Sequence, residues 1–201
     1  MLDEALFLEP YEEPRGDTRH MHKVAIPANE PKILIPAIAA DGSLYPIEKI
    51  EAHRRGVHHL AISVFVFDGA ALLIQQRAKG KYHCGGQWAN TCCTHPHWGE
   101  DAAAAAARRV PEELGFELRV EERHIVEYSA DVGNGLWEKE RVHMYRAEAA
   151  RTRLAIVPNP AEVEATRWIT ADELRADMRA NPHDYTPWFR IYVNRFPDLA
   201  F

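Results

Sequence analysis

The sequence is poor in cysteine and has no long apolar runs, and each absence narrows the class of protein. Three of its 201 residues are cysteine, Cys84, Cys92 and Cys93, and the last two are adjacent. A disulfide framework needs more cysteines that are more widely spread, so we expect reduced thiols in a cytosolic compartment. No apolar run has the length of a membrane span, and the acidic first residues lack the basic start and apolar stretch of a signal peptide. We therefore expect a soluble, cytoplasmic protein with no membrane partner.

The sequence also contains fewer basic than acidic residues. The formal net charge is −6 and the pI is about 6.0, which gives no electrostatic reason to bind nucleic acid or an anionic membrane. Binding of a small phosphorylated ligand is still compatible with this net charge, because local clusters of basic groups and metal ions hold such ligands. The length and the 46% hydrophobic content predict one domain over residues 31–201, preceded by a polar, proline-containing arm over residues 1–30 that is flexible or loosely docked. Both a monomer and a homodimer are compatible with the sequence.

Apolar periodicity and turn residues predict a mixed α/β sandwich. Residues 59–67 alternate in polarity, Asp68-Gly69 forms a turn, and residues 71–76 return, which predicts a β-hairpin. The other predicted elements are a strand at 33–35, a short helix opened by Pro46 and closed by Gly56, an irregular loop from Gly80 to Thr94, a helix over 100–114 capped by Gly115, strands at 118–128, 138–146 and 165–169, a helix from the capping box Thr170/Glu173 to 179, and a last helix begun by Thr186-Pro187.

A cysteine-containing tract over residues 90–96 is the first candidate for chemistry. Cys93 stands two residues before His95 in a glycine-flanked loop, where it could act as a nucleophile, an acid or base, or a metal ligand. An isolated cysteine is more often a buried structural residue, and we expect that role for Cys92. The spacing alone does not decide between these roles.

Histidines and carboxylates form a second and a third candidate group. His53 and His59 lie near the start of one predicted strand, and Glu138 and Glu140 alternate along another, so the two carboxylates share a face. They repel unless a cation lies between them or one is protonated. Each group alone also fits an ordinary surface or core. Together with His95 they predict a site for Mn²⁺ or Zn²⁺, which leaves Cys93 outside the ligand set and free for acid–base work.

The long helix ends in a motif with its own chemistry. Glu-Glu-x-Gly preceded by arginine is the hallmark of the Nudix helix, which holds Mg²⁺ against a diphosphate. The matching residues are Glu100, Arg108, Val110, Glu112, Glu113, Gly115 and Phe116. Thr94 replaces the first glycine, and Arg109 replaces the glutamate that normally ligates the hydrolytic metal. A plain capped helix with an arginine–glutamate pair one turn apart fits the same residues.

These residues together resemble the type-1 isopentenyl-diphosphate isomerases, a Nudix-fold family, from about residue 33 to 196. The tracts that carry the resemblance are 48–56, 59–65, 75–77, 79–86, Trp88 to Pro96, Tyr128 with 133–140, and Thr186-Pro187-Trp188. The most specific is Asn-Thr-Cys-Cys-Thr-His-Pro at 90–96, and the family also lacks the glutamate at position 109. The chain departs from the family's usual sequence at Leu60, Ile62, Ala89 and Lys139. The resemblance implies a Nudix-type α/β/α sandwich around a mixed sheet.

The resemblance also implies an activity and a set of roles. The activity is interconversion of isopentenyl diphosphate and dimethylallyl diphosphate in isoprenoid biosynthesis, by protonation and deprotonation on opposite faces of the substrate through a tertiary carbocation. The implied catalytic groups are Cys93 and Glu140, with Tyr128 hydrogen-bonding near Glu140 and Trp188 presenting its ring to the cation. The implied ligands of the first metal (Mn²⁺, Zn²⁺ or Mg²⁺) are His53, His59, His95, Glu138 and Glu140. Glu113 is implied to hold a Mg²⁺ that bridges to the diphosphate, and Arg77, Lys81, Arg109 and Lys49 to neutralise the phosphates.

Two other functions are compatible with parts of the pattern. A Nudix diphosphohydrolase acting on a nucleotide or prenyl diphosphate is disfavoured by Arg109, because hydrolysis requires a carboxylate there to gather metal around the attacking water. A non-catalytic domain that binds a prenyl diphosphate is disfavoured because Cys93, both glutamates and all three histidines are present. Release of phosphate indicates the hydrolase, and binding without turnover indicates the inert domain.

Overall fold

The computed structural model describes residues 32–196, and the predicted N-terminal arm lies outside them. The strands are β1 (Leu34–Ile38), β2 (Leu44–Glu48), β3 (His59–Asp68), β4 (Ala71–Arg77), β5 (Trp88–Ala89), β6 (Cys92–Thr94), β7 (Glu121–Asp131), β8 (Trp137–Glu148) and β9 (Val163–Thr170). The helices are α1 (Lys49–Arg55), α2 (Ala102–Leu114), α3 (Ala171–Ala180) and α4 (Pro187–Arg195). Within this range no helix is long and apolar enough to cross a membrane.

Strand β3 is the centre of the sheet. It forms the predicted hairpin with β4, pairs antiparallel with β1 and β6, and runs parallel to β8. Strand β4 continues the sheet through β5 and β9, and β8 continues it through β7. A mixed sheet results, as predicted, and every strand that carries a candidate site residue is β3 or lies within two strands of it.

The two faces of the sheet are covered by different helices. Ile62, Val64 and Val66 of β3 pack with the apolar side of α2, whereas Phe65 and Phe67 pack with α4. This follows from the alternation of side chains along a strand, because successive residues point to opposite faces. The predicted mixed α/β sandwich is therefore confirmed.

Pro46 does not open a helix as predicted, because it lies inside β2 opposite Pro36 of β1. Proline is tolerated in a strand near a sheet edge, where its missing N–H is not needed. Helix α1 begins instead after Glu48, whose carboxylate accepts hydrogen bonds from the backbone N–H groups of Ile50 and Glu51. The predicted end at Gly56 is confirmed, and this glycine adopts a left-handed backbone conformation with φ of 58°.

The predicted irregular loop from Gly80 to Thr94 contains two short strands, β5 and β6. Strands of two and three residues carry too little alternation to be recognised in a sequence. The Thr170/Glu173 capping box of α3 and the Gly115 cap of α2 are confirmed. Thr186 is the N-cap of α4 as predicted, but its side chain makes no capping hydrogen bond.

Candidate active site and metal centre

The candidate site lies on the α4 face of the sheet, and strand register assembles it. Glu140 of β8 pairs with His59 at one end of β3, and Cys93 of β6 pairs with Ser63 four residues further along. Paired residues point to the same face, so all four side chains project from one surface. Because β6 and β8 lie on opposite sides of β3, Cys93 and Glu140 reach this surface from two directions.

Three imidazoles and one carboxylate meet at the start of β3. The Nε2 atoms of His59 and His95 are 3.1 Å apart, and Glu140 Oε1 lies 2.9 Å from His95 Nε2 and 3.5 Å from His59 Nε2. His53 belongs to the same cluster, with ring centroids 4.9 Å from His59 and 5.0 Å from His95. One donor atom from each of the four side chains lies within 4.8 Å of the others.

The hydrogen bonds of these rings leave nitrogen lone pairs inside the cluster. His53 Nδ1 lies 2.6 Å from the Lys49 carbonyl oxygen, and His59 Nδ1 lies 2.6 Å from the Val57 carbonyl oxygen. A carbonyl oxygen only accepts, so both Nδ1 atoms carry a hydrogen, and in the neutral form of each ring Nε2 presents its lone pair. His53 Nε2 is buried and has no hydrogen-bond partner. Backbone carbonyls that orient imidazoles in this way are typical of metal sites, and the donor set is compatible with a divalent metal.

The charge states of the cluster agree with metal binding. Burial lowers the pKa of His53 to about 3, with His95 and His59 adding to the effect. Burial also lowers the pKa of His95 to about 4, although its hydrogen bond with Glu140 opposes the shift. Both rings are therefore neutral near pH 7, the form in which imidazole binds a metal.

Tyr128 bridges the two carboxylates. Its hydroxyl oxygen lies 2.7 Å from Glu138 Oε2 and 2.7 Å from Glu140 Oε2. One hydroxyl proton satisfies only one of these contacts, so the other needs a proton on a carboxyl group or a cation beside it. Burial and the charge of Glu140 raise the pKa of Glu138 well above its usual range. Burial opposes ionisation of Glu140 too, but the imidazoles of His59 and His95 beside it hold its pKa well below the usual value.

Cys93 lies in a polar pocket across from this cluster. Its Sγ donates to Asn90 Oδ1 at 2.9 Å and lies 3.3 Å from Ser63 Oγ, which in turn lies 3.1 Å from the Tyr192 hydroxyl. Burial raises the pKa of Cys93 to about 12, although the Ser63 hydrogen bond opposes the shift. In this structure Cys93 is a protonated thiol near pH 7. Cys92 is fully buried against the α2 face, which is compatible with its predicted structural role.

A charged wall formed by α2 and the segment before β9 closes another side of the site. Lys81 Nζ lies 2.7 Å from Glu162 Oε2, and Arg109 contacts the same carboxylate. Arg109 Nε also lies 2.8 Å from Glu113 Oε1, and Gln75 donates to Glu113 Oε2 at 2.6 Å. Two cations and the candidate Mg²⁺ ligand are thus adjacent, as a metal-bound diphosphate requires.

The remaining predicted residues complete the cleft. The Arg77 guanidinium lies 5.3 Å from the centroid of the Trp188 ring, and Lys49 Nζ lies 5.1 Å from that of Tyr82. The predicted residues that line the cleft are Lys49, Arg77, Lys81, Cys93, His95, Arg109, Glu113, Tyr128, Glu138, Glu140 and Trp188. His53 and His59 lie directly behind it in the metal cluster, so no predicted residue is remote.

Several residues of the site carry no sequence-predicted role. Ser63 and Asn90 contact the Cys93 thiol, Glu162 contacts Lys81 and Arg109, and His83 lies in the cleft beside Glu138. The alternation of β3 indicated the face of Ser63, and Asn90 lies in the tract that carries the resemblance. No local pattern distinguishes Glu162 from the other surface glutamates.

Comparison with known proteins identifies the family. A family model described as the NUDIX domain matches residues 57–189. Curated isopentenyl-diphosphate Delta-isomerases of Rhodobacter capsulatus and Cereibacter sphaeroides are 51% and 53% identical, each across 84% of this chain and 95% and 94% of their own lengths. A solved structure from Deinococcus radiodurans has a TM-score of 0.57 at 16% identity and covers 73% of this chain and 89% of its own. A MutT NUDIX hydrolase structure from Burkholderia pseudomallei has a TM-score of 0.52 at 23% identity and covers 69% of this chain and 98% of its own. At these identities, both structures show the fold alone. The chain belongs to the type-1 isopentenyl-diphosphate Delta-isomerases of the Nudix superfamily.

Proposed function

We propose that the chain interconverts isopentenyl diphosphate and dimethylallyl diphosphate, with Cys93 and Glu140 as the two proton-transfer groups. The observation that carries this assignment is their placement on strands β6 and β8, which flank β3 and direct both side chains into one cleft. One group protonates the terminal alkene carbon to give a tertiary carbocation, and the other removes a proton from C2. One proton enters and one leaves, so the reaction is a net isomerisation and needs no redox partner.

The rest of the cleft supports this chemistry. An alkene is a very weak base, so its protonation requires an acid in a preorganised pocket with little water. Trp188 offers an aromatic face that stabilises a cation without reacting with it. Tyr128 contacts both carboxylates and can relay a proton between Glu138 and Glu140.

The cleft has two candidate cation sites, one at the buried histidines and glutamates and one at the end that binds the diphosphate. His53, His59, His95, Glu138 and Glu140 ligate Mn²⁺, Zn²⁺ or Mg²⁺, which stabilises the negative charge of the buried carboxylates when bound. Glu113 would hold a Mg²⁺ that compensates the charge of the diphosphate, and Lys81, Arg109, Arg77 and Lys49 would neutralise the phosphate oxygens. The protein acts as a cytoplasmic monomer or homodimer on this small-molecule substrate.

Hydrolysis is less well supported than isomerisation. Arg109 replaces the metal-binding glutamate of the Nudix motif, and its guanidinium is engaged with Glu112, Glu113 and Glu162. Without the carboxylate at this position, the helix has one fewer ligand for the metal cluster that activates water.

The test is the reaction of the purified protein with isopentenyl diphosphate in D₂O with Mg²⁺ and Mn²⁺, followed by proton NMR. We expect dimethylallyl diphosphate with deuterium in a methyl group. Free phosphate or pyrophosphate with the double bond unmoved would indicate the hydrolase, and no change with either metal would indicate a binding domain.

A further inference from the structure

His83 is a buried imidazole to which neither the sequence motifs nor the proposed reaction gives a role. It lies in the segment between β4 and β5, is 5% exposed, and its Nε2 lies 3.9 Å from Glu138 Oε1. Its ring stacks on that of His53 at a centroid distance of 5.8 Å and an interplanar angle of 26°. Its Nδ1 is buried and has no hydrogen-bond partner. Nε2, the nitrogen that faces Glu138, is therefore the candidate donor, and Nδ1 carries the hydrogen when Nε2 binds a metal.

His53 connects His83 to the metal cluster. Donor atoms of His53, His83 and Glu138 lie within 4.8 Å of one another, as do those of His53, His59, His95 and Glu140. The Lys49 carbonyl occupies His53 Nδ1, so only Nε2 is available in either group. One nitrogen lone pair binds one ion, so an ion held through His53 in one group excludes a second ion held through His53 in the other.

The donor distances around His83 are short enough for a common ligand shell. Metal–nitrogen and metal–oxygen bonds of about 2.0–2.2 Å place opposite ligands about 4.2 Å apart. The 3.9 Å between His83 Nε2 and Glu138 Oε1 lies inside that limit, and the donor atoms of His53, His83 and Glu138 all lie within 4.8 Å of one another. We propose that His83 is a direct ligand of the metal ion and completes a shell of four imidazoles and two carboxylates.

A shell of six protein ligands has a chemical consequence. Metal sites that activate water keep an open position, whereas sites closed by protein ligands are structural. With His83 bound, this ion has no position for water or for the diphosphate. Its role is then to fix Glu138 and Glu140 and to compensate their charge, while the diphosphate is held by the separate Glu113 site.

The first test uses Co²⁺, which reports its own coordination by visible absorption. Metal-free protein is loaded with Co²⁺, and wild type is compared with His83→Cys and with His58→Cys as the matched control. A cysteine that replaces a true ligand introduces a thiolate-to-Co²⁺ charge-transfer band, which we expect for His83→Cys only. His58 is a suitable control because it adjoins His59 but points to Glu127, 3.8 Å away, outside the cluster.

The second test measures affinity and does not depend on the engineered thiol. Zn²⁺ or Mn²⁺ titrated into metal-free His83→Ala should bind at one ion per chain, with affinity at least about 10-fold weaker than in wild type, whereas His58→Ala should match wild type. Far-ultraviolet circular dichroism checks that each variant is folded. Unchanged affinity in folded His83→Ala overturns the proposal, as does binding of two ions by wild type with loss of one in the variant. No substrate is present, so failure here leaves the proposed isomerisation untouched.

Discussion

At the scale of single residues, Glu162 lies between the two cations of the charged wall. Its carboxylate contacts both Lys81 and Arg109, two of the four cations predicted to bind the diphosphate. Burial opposes ionisation of Glu162, but its hydrogen bond with Lys81 and the charge of Arg109 hold its pKa below the ordinary glutamate value. A bound diphosphate must compete with this carboxylate for the same donors.

Neutralising Glu162 should therefore strengthen binding of a diphosphate in the absence of metal. We expect Glu162→Gln to bind inorganic pyrophosphate several-fold more tightly than wild type in EDTA, because two charge-assisted hydrogen bonds become available. Isothermal titration calorimetry measures the change. The matched control is Glu164→Gln, whose carboxylate pairs with the exposed Lys79 at 2.8 Å and should not alter binding. Weaker binding in Glu162→Gln would contradict this account.

The proposed proton-transfer groups give a second prediction at this scale. Cys93→Ala and Glu140→Gln should each lower kcat by at least about 10²–10⁴-fold, since each removes one of the two proton transfers. Steady-state kinetics with isopentenyl diphosphate measures the loss, and metal content is determined for Glu140→Gln because this residue is also in the ligand cluster.

Cys84→Ala controls for removal of a thiol. Cys84 is a free cysteine whose Sγ contacts the Val132 carbonyl at 3.8 Å, and it does not line the cleft. It should keep near-wild-type turnover. Near-wild-type turnover in Cys93→Ala or in Glu140→Gln would remove that residue from the proposed mechanism.

The sequence could predict a site residue only where neighbouring residues in the chain indicate its role. Cys93 and His95 stand in one short tract, and Glu138 and Glu140 alternate on one strand, so their neighbourhood suggested chemistry. Glu162 and His83 gain their roles only from residues that are distant in sequence, Arg109 in one case and Glu138 in the other. No spacing rule includes such pairs.

At the scale of elements, helix α3 depends on a local device that the sequence predicted. Thr170 Oγ1 accepts from the Glu173 backbone N–H, and the Glu173 carboxylate accepts from the Thr170 backbone N–H at 2.9 Å. Thr170→Ala should lower the free energy of unfolding by about 1 kcal/mol, because it leaves one helix N–H group without its partner.

Urea denaturation measures this change, and Thr170→Ser is the conservative comparison. Serine keeps the accepting oxygen, so its stability should remain within about 0.5 kcal/mol of wild type. Equal losses in the alanine and serine variants would mean that the Thr170 methyl group, rather than the cap, stabilises the helix.

The start of α1 shows why a similar prediction was wrong. Pro46 is compatible with the first turn of a helix and also with a strand, since its fixed φ suits both. Pairing with β1 determines the outcome, and pairing is not visible in the sequence around Pro46. The actual N-cap, Glu48, is not among the residue types that usually mark a helix start.

At the scale of the whole molecule, Asp177 joins the C-terminal elements. Its carboxylate accepts from Arg167 of β9 at 2.7 Å, from Tyr185 before α4 at 2.6 Å and from Asn181 at 2.7 Å. These hydrogen bonds, the one from Tyr185 foremost, lower the pKa of Asp177 to about 2. The network therefore links β9, α3 and the approach to α4 while Asp177 is ionised.

Stability should consequently depend on pH through this carboxylate. An unfolded aspartate titrates near ~3.9, so the stabilisation is complete above that pH and is lost as the pH falls toward about 2. Asp177→Asn should cost about 1 kcal/mol at pH 6, since solvent screens a partly exposed group, and its deficit should shrink as the pH falls below 4. Urea unfolding of both proteins at pH 6 and pH 3 measures the difference. A deficit that is constant with pH would show that the loss comes from packing.

The predicted division of the chain into an arm and one domain over 31–201 stays a prediction, because residues 1–31 and 197–201 lie outside the described structure. Within residues 32–196 the sandwich could be predicted because strand alternation and helix caps are local signals. The parallel pairing of β3 with β8 could not, because no turn joins the two strands.

That pairing also sets when the site can form. His59 and Glu140 are register partners 81 positions apart, so the cluster closes a very long stretch of chain. Contacts between residues so far apart in sequence form slowly. During synthesis, β3 cannot pair with β8 until the second half of the chain has been made. A nascent chain that ends before Glu140 can expose its histidines but cannot enclose an ion between them. We therefore expect metal capture to follow chain completion and to report on the last stage of folding, which makes Co²⁺ absorption a probe of refolding kinetics as well as of coordination.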